Sequence, residues 1–166
     1  LDYARNVAMR VIADHSRSAA FLIADGVLPS ADGRGYVLRR ILRRAIRHGR
    51  VLQFKEPFLA ATTAEVVKKF EGQYPELKEA SDTIMRVVDA EERKFYETLD
   101  AGLGILTKEV EKLGKDQSFP GETAFLLYDT YGFPLDLTED ALKAFNKVVD
   151  VKGYTTAMEA QRERSR

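Results

Sequence analysis

The segment from Gly33 to Arg50, GRGYVLRRILRRAIRHGR, carries seven arginines, one histidine and no acidic residue. Its apolar residues recur every three or four positions, the period of an α-helix rather than a strand. With Leu38 as origin and a step of ~100° per residue, Leu38, Ile41, Leu42, Ala45 and Ile46 share an arc of roughly 140°. Arg39, Arg40, Arg43, Arg44 and Arg47 fill the opposite arc. A chain containing this rod must bury one side of it and accommodate five permanent charges on the other. The expectation is an apolar side in the core and five guanidinium groups turned outward. Guanidinium is planar and suited to bidentate contact with phosphate, which makes an RNA or DNA backbone the natural partner. A solvated basic face with no ligand is the competing reading, because basic patches are common.

The zero formal net charge conceals a polarity along the chain. Residues 1–55 hold 11 Lys and Arg against 4 Asp and Glu, and the remainder holds 15 against 22. One basic zone beside an acidic remainder suits a local polyanion contact and restricts where phosphate can lie. The 166 residues suffice for one domain, or for two closely packed subdomains. No cysteine is present, which excludes disulfides and thiolate metal sites. No apolar run approaches the ~20 residues that span a bilayer, and no secretory signal is visible, so no membrane partner and a cytoplasmic location are expected. The chain starts without methionine and ends in MEAQRERSR, a helical pattern with no stop signal. Both ends are expected to be cut from a longer protein.

Helical periodicity dominates the chain. Expected helices run from about Asp2 to Asp25, stopped by Gly26, and from about Gly35 to Leu52. LPSADG, residues 28–33, is a loop between them. A third helix opens at Pro57 and continues to about Gly72. The longest pattern runs from Pro75 to Gly114, where Gly102 and Gly104 are expected to bend or split it. Shorter helices follow at about 121–131 and 136–146, with a last one from Thr155. Val148–Val151 is the one plausible strand, too short to imply a sheet. The expected fold class is all-α: an irregular array of about six to eight helices with one long central helix and no significant sheet.

Catalytic constellations are thin, and no catalytic residue is expected. His15 and His48 are the only histidines and lack metal-ligand spacing, so no metal site is expected. His15 reads as a half-buried structural residue, and His48 as an extension of the basic face. The glycines around Arg34 expose backbone N–H groups at a helix start, either a phosphate site or plain helix entry. In FLLYDTYGFPLDLT, residues 125–138, Gly132 ends a helix and Pro134 prevents its continuation. This is either a structural corner or a recognition site. In the first case Tyr128, Tyr131 and Phe133 pack inside, and Asp136 or Thr138 caps the next helix. In the second, Asp129 accepts a hydrogen bond from a base amino group and so reads sequence, which arginine–phosphate contacts cannot do.

RVIADHSRSAAFLIADGVLPSADGRGYVLRRILRRAIRHG, residues 10–49, closely resembles the segment that follows the catalytic domain in alanyl-tRNA synthetases. GETAFLLYDTYGFPLDLT (121–138) resembles a second hallmark of that family, and AMEAQRERSR (157–166) its closing helix. The resemblance spans essentially the whole chain and makes residues 1–166 the helical tRNA-recognition domain of a longer synthetase. It implies a parent enzyme that attaches alanine to tRNA using ATP with magnesium, through a class II catalytic domain upstream. A zinc-binding editing domain would lie downstream. The fragment itself would hold no cofactor and perform no catalysis. Its partners would be the acceptor stem of tRNA-Ala and the flanking domains of the same chain.

The resemblance further implies that Asp129 addresses the guanine amino group of a G·U wobble pair in that stem. Arginines of the RRILRR block, Arg43 in particular with Arg39, Arg40 and Arg44, would support it, together with Arg47 on the same face. One position departs from the family pattern. Ala31 stands where asparagine is usual, and its side chain can neither donate nor accept. Either Asp32 or a backbone group would substitute, or the pair would be read more weakly from one side. Two other function classes compete: a helical protein–protein module with a basic face, and a DNA-binding domain. The second is disfavoured by the lack of a short recognition helix after a tight helix–turn–helix.

Overall fold

The computed structural model describes residues 2–165, which form two compact units divided between Tyr96 and Glu97. Among the described residues there are eight α-helices, one 3-10 turn and no sheet, as the helical periodicity requires. No helix among them is long and apolar enough to cross a membrane.

The first unit contains α1 (Tyr3–Ala24), α2 (Gly33–Val51), α3 (Leu59–Phe70), α4 (Pro75–Glu79) and the first half of α5 (Ser81–Glu111). Asp2 caps α1 by accepting from the Arg5 N–H at 2.9 Å. Gly26, at φ +91°, ends the helix. Its N–H reaches the Ile23 carbonyl while that of Val27 reaches Leu22, the paired closure a left-handed residue permits. α1 packs on α2, α3 and α4. Small residues on its inner side, Ala8, Ser16, Ala19 and Ala20, are buried and let neighbouring backbones approach. The Ser16 hydroxyl meets that of Thr62 at 2.9 Å, so this buried polar group is satisfied. On α2 the buried apolar residues are Leu38, Leu42, Ala45 and Ile46, within the arc the wheel assigns to the core.

The start of α3 has no cap of its own, because α5 supplies one. The buried Glu92 carboxylate accepts from the backbone N–H of Leu59 at 2.9 Å and of Phe58 at 3.1 Å. A carboxylate at a helix N-terminus meets unpaired donors and the positive end of the helix dipole.

The expected single helix from Pro75 to Gly114 is two, parted at Ala80. Apolar spacing continues across the break, so periodicity carries no sign of it. Packing decides instead, since α4 lies against α1 and α3 with Leu77 buried. The glycines expected to interrupt the pattern do not, and α5 runs through both.

The second unit holds the rest of α5 with α6 (Gly121–Asp129), α7 (Leu135–Leu142), the 3-10 turn Lys143–Phe145 and α8 (Val151–Arg164). The one plausible strand becomes a single parallel bridge, Phe119 to Val149. Gly121 lies so near the first turn of α8 that any Cβ would overlap the Tyr154 amide. Tyr154 is buried beside the rings of Phe125 and Tyr128, both centroids 6.2 Å away. Gly102 has a packing reason. A Cβ there would lie 2.6 Å from the ring of Phe133, which is fully buried. Gly104, two residues on, is exposed with nothing within 4 Å.

Opposite outcomes are therefore expected from one substitution at two glycines of one helix. Gly104→Ala should stabilise by about 0.5–1 kcal/mol, the helix-propensity gain. Gly102→Ala should destabilise by about 1–3 kcal/mol, because overpacking outweighs that gain. Urea denaturation of both variants checks this, and equal signs would refute the notch.

Burial pushes the Glu92 carboxyl above its ordinary value of 4.5, against the lowering influence of the Leu59 and Phe58 N–H groups. The protonated form is favoured in the folded state, so this stability is full below the unfolded value and lost as pH rises through the folded one. Glu92→Gln, uncharged throughout, should gain stability relative to the parent between pH 4 and pH 7. A pH-independent difference in denaturation midpoint between the two would contradict the assignment.

Candidate nucleic-acid interface

The arginine side of α2 is not the open basic face that the helical wheel predicts. Arg43 is buried, Arg39, Arg40, Arg44 and Arg47 are partly buried, and of the α2 arginines only Arg34 at the helix start is exposed. Arg39 and Arg43 lie one turn apart on the flank next to Ile46, and α5 covers that flank. The Nε of each donates to the same oxygen, Oε1 of Glu91, at 2.9 Å. The Glu91 side chain is 6% exposed, that of Arg43 7% and that of Arg39 20%. Arg43 also lies 4.9 Å from the centroid of the Phe95 ring, within cation–π range. Burial lowers the Arg43 pKa from its ordinary value, and Glu91 opposes the shift.

Arg40, Arg47 and Arg50 of α2 rest on aromatic rings or nearby polar atoms. Arg40 lies 5.6 Å from the Tyr36 ring, one turn before it, and its Nε is buried without a hydrogen-bond partner among the described residues. Arg50 lies 4.6 Å from the Tyr96 ring and donates to the Phe54 carbonyl at 2.6 Å. Arg47 donates to Nε2 of His48 at 3.2 Å. His48 does not extend the basic face. It is buried, because ten residues at ~100° bring it back to the apolar side beside Ile41. His15 is half-buried as expected, with Nδ1 donating to the Ile41 carbonyl at 3.0 Å; burial holds it below its ordinary 6.5.

The loop before α2 is exposed at Ala31 and Asp32, and the helix start at Gly33 and Arg34. Asp32 occupies the N-cap position but makes no side-chain cap, so its carboxylate is not engaged by the helix start. The Ser30 hydroxyl donates to the Asp32 carbonyl at 2.8 Å and tightens the turn. Gly35 is buried, and a Cβ there would overlap Ser30 and the Leu28 carbonyl. The open part of this helix start is therefore confined to Gly33 and Arg34.

Asp129 belongs to the second unit, as the last residue of α6, and is exposed. The corner after it is pinned. Gly132 adopts φ +71°, and the Phe133 N–H returns to the Leu127 carbonyl at 2.9 Å. The Thr98 hydroxyl donates to the Tyr131 carbonyl at 2.8 Å, and the Phe133 ring fills the notch at Gly102. Phe133 packs inside as the corner reading requires, whereas Tyr128 and Tyr131 are only half-buried. Neither Asp136 nor Thr138 caps α7. Pro134 holds the cap position, which places both residues inside the helix.

Among the described residues no group of three His, Cys, Asp or Glu side chains could hold a metal ion. Glu91 and Phe95 determine how two of the arginines lie; in the sequence Phe95 shows only as an apolar position of the long helix, and Glu91 not at all as a partner of α2. The only signal for Glu91 was an adjacent acidic pair in the middle of α5, indistinguishable from the charged surface of any long helix.

The family described as class II tRNA synthetases (A) matches residues 2–166. A Jannaschia sp. alanine–tRNA ligase is 51% identical over 166 residues, all of this chain and 19% of that protein. Alanine–tRNA ligases of Stenotrophomonas maltophilia and Rickettsia akari are 52% and 54% identical over 97% and 95% of the chain, each match spanning 18% of the relative. The chain thus covers less than a fifth of the length of these relatives.

Glu91 is the buried carboxylate that Arg39 and Arg43 share, and its removal would break both ion pairs. Glu91→Ala is expected to cost about 3–5 kcal/mol, as for other broken buried ion pairs. Guanidinium denaturation checks this; a loss below about 1 kcal/mol, the range of surface pairs, would show that the carboxylate is dispensable.

Proposed function

Because the chain belongs to the class II tRNA synthetase (A) family and is about half identical to alanine–tRNA ligases, we propose that it is the helical tRNA-recognition domain of such a ligase. In this reading it holds the acceptor stem of tRNA-Ala and reads a G·U wobble pair there. A class II catalytic domain elsewhere in the longer protein attaches alanine using ATP with magnesium, and zinc serves an editing domain. The described residues perform no chemistry of their own, and the site of action is the cytoplasm.

The observation that carries the reading is the exposed Asp129 carboxylate on a pinned corner. A carboxylate only accepts, and the guanine amino group of the wobble pair only donates. That amino group lies in the RNA minor groove, which is wide and shallow enough for a side chain to reach. A corner already fixed by Gly132, Phe133 and Thr98 loses little freedom on binding, so more of the contact energy appears as affinity.

The phosphate contacts fall to the arginines that keep exposure: Arg34, and in part Arg39, Arg40, Arg44 and Arg47. Arg43 acts from within, through Glu91 and Phe95. At position 31 the alanine side chain offers nothing to a base, and the neighbouring exposed Asp32 is the acceptor available in its place.

The test compares binding of tRNA-Ala stems carrying G·U or G·C across a salt series. The parent should prefer the G·U stem, and affinity should fall with salt as counterions are released. Asp129→Ala should reduce the preference by roughly tenfold, the usual worth of one good base contact. Equal binding of both stems by the parent would refute the proposal, and an acidic protein partner would predict no choice among RNAs.

A further inference from the structure

We propose that Glu91 is a positioning residue, which holds the Arg39 guanidinium at a fixed angle toward a backbone phosphate of a bound RNA. This rests on the stem-binding reading above and adds a group that no RNA atom touches.

Charge balance comes first. Arg43 and Glu91 are both buried and opposite in sign, so their charges cancel within the protein. The third member, Arg39, is the one with exposure, so the charge that the group offers to solvent is that of Arg39. A buried carboxylate repels an approaching phosphate little, because its charge is already compensated by the adjacent guanidinium. The group therefore presents as a single outward cation rather than as a neutralised patch.

Bond geometry comes second. Glu91 Oε1 engages Arg39 through Nε, at 2.9 Å. Guanidinium has five N–H donors in a rigid planar fork, and the two-NH2 end points away from Nε. A carboxylate at Nε therefore leaves the end of the fork that suits bidentate phosphate contact. Holding Nε also fixes the last torsions of a side chain that otherwise carries ~2 kcal/mol of rotamer entropy. Arg43 in turn holds Glu91, by the matching Nε bond to the same oxygen and by lying over Phe95. Carboxylate, anchor and presented cation form one rigid unit between α2 and the first half of α5.

The experiment measures binding of the tRNA-Ala acceptor-stem hairpin by fluorescence anisotropy across a salt series. It compares the parent with Arg39→Ala, Arg39→Lys and Glu91→Gln, with helicity checked by circular dichroism. Arg39→Ala should lower the slope of log affinity against log salt by about one phosphate contact. Arg39→Lys keeps the charge but lacks Nε–H and the fork, and should bind about tenfold more weakly than the parent. Glu91→Gln should also weaken binding, although it adds one unit of positive charge to the protein. A merely structural Glu91 predicts no change in slope, and a merely electrostatic one predicts tighter binding on its removal.

Parent-like binding by Arg39→Lys, or tighter binding by folded Glu91→Gln, would overturn the proposal. Should Glu91→Gln not fold, the two Arg39 variants decide, since both retain the Arg43–Glu91 pair. A parent that shows no G·U preference while the Arg39 slope shift persists would sink the recognition reading and support this one. The converse result would sink only this one.

Discussion

A single carboxylate oxygen, Glu91 Oε1, accepts from two guanidinium groups at 2.9 Å each, and the first unit is arranged around that compensation. α2 contains no acidic residue, so it cannot neutralise its own arginines. Two of them lie on a flank that another helix must cover if the apolar arc beside it is to be buried. Burying a guanidinium without an opposite charge is prohibitive, and α5 brings the required anion to the place where it covers that flank. The next residue, Glu92, turns ~100° further round the helix and meets α3 instead. Consecutive carboxylates of one helix thus hold two others, one by ion pairing and one by capping a helix start.

The two acids are stabilised by different means. Glu91 faces fixed positive charge. Glu92 faces backbone N–H groups and the end of a helix dipole, a weaker field, and burial prevails in raising its pKa. Tyr96, four residues on from Glu92, is pushed up to about 12, first by burial and then by that carboxylate. Glu91, Glu92, Phe95 and Tyr96 therefore form a structural seam, in which the two carboxylates are answered by guanidinium groups and by backbone donors.

In the second unit, steric fit determines how the corner is held. The turn carrying Asp129 is anchored by an aromatic ring seated where α5 lacks a side chain, and by one hydroxyl–carbonyl bond. Rigid support beneath an exposed acceptor is what a selective hydrogen bond needs, because misplacement by about 1 Å forfeits much of its value. The proposed recognition role draws on that rigidity, and the proposed phosphate contacts draw on the polar seam in the same way.

Helix order, loop positions, the all-α class and the apolar side of α2 were legible in the chain, since each follows from local period, glycine and proline chemistry. The corner after Asp129 was legible too, because Tyr-Gly-Phe-Pro is a turn signal that can be read without the rest of the fold, whereas the role proposed for Asp129 comes from the family resemblance. The direction of the arginines was not legible. A helical wheel separates apolar from polar residues but does not say which polar residues another helix will cover. The inward turn of His48 already follows from its place on the wheel, whereas only the tertiary structure placed Glu91 against Arg39 and Arg43 and gave Gly102 its ring. These outcomes depend on contacts between segments distant in the chain, about fifty residues for the ion pairs, and no local pattern encodes which side chains will meet across that distance.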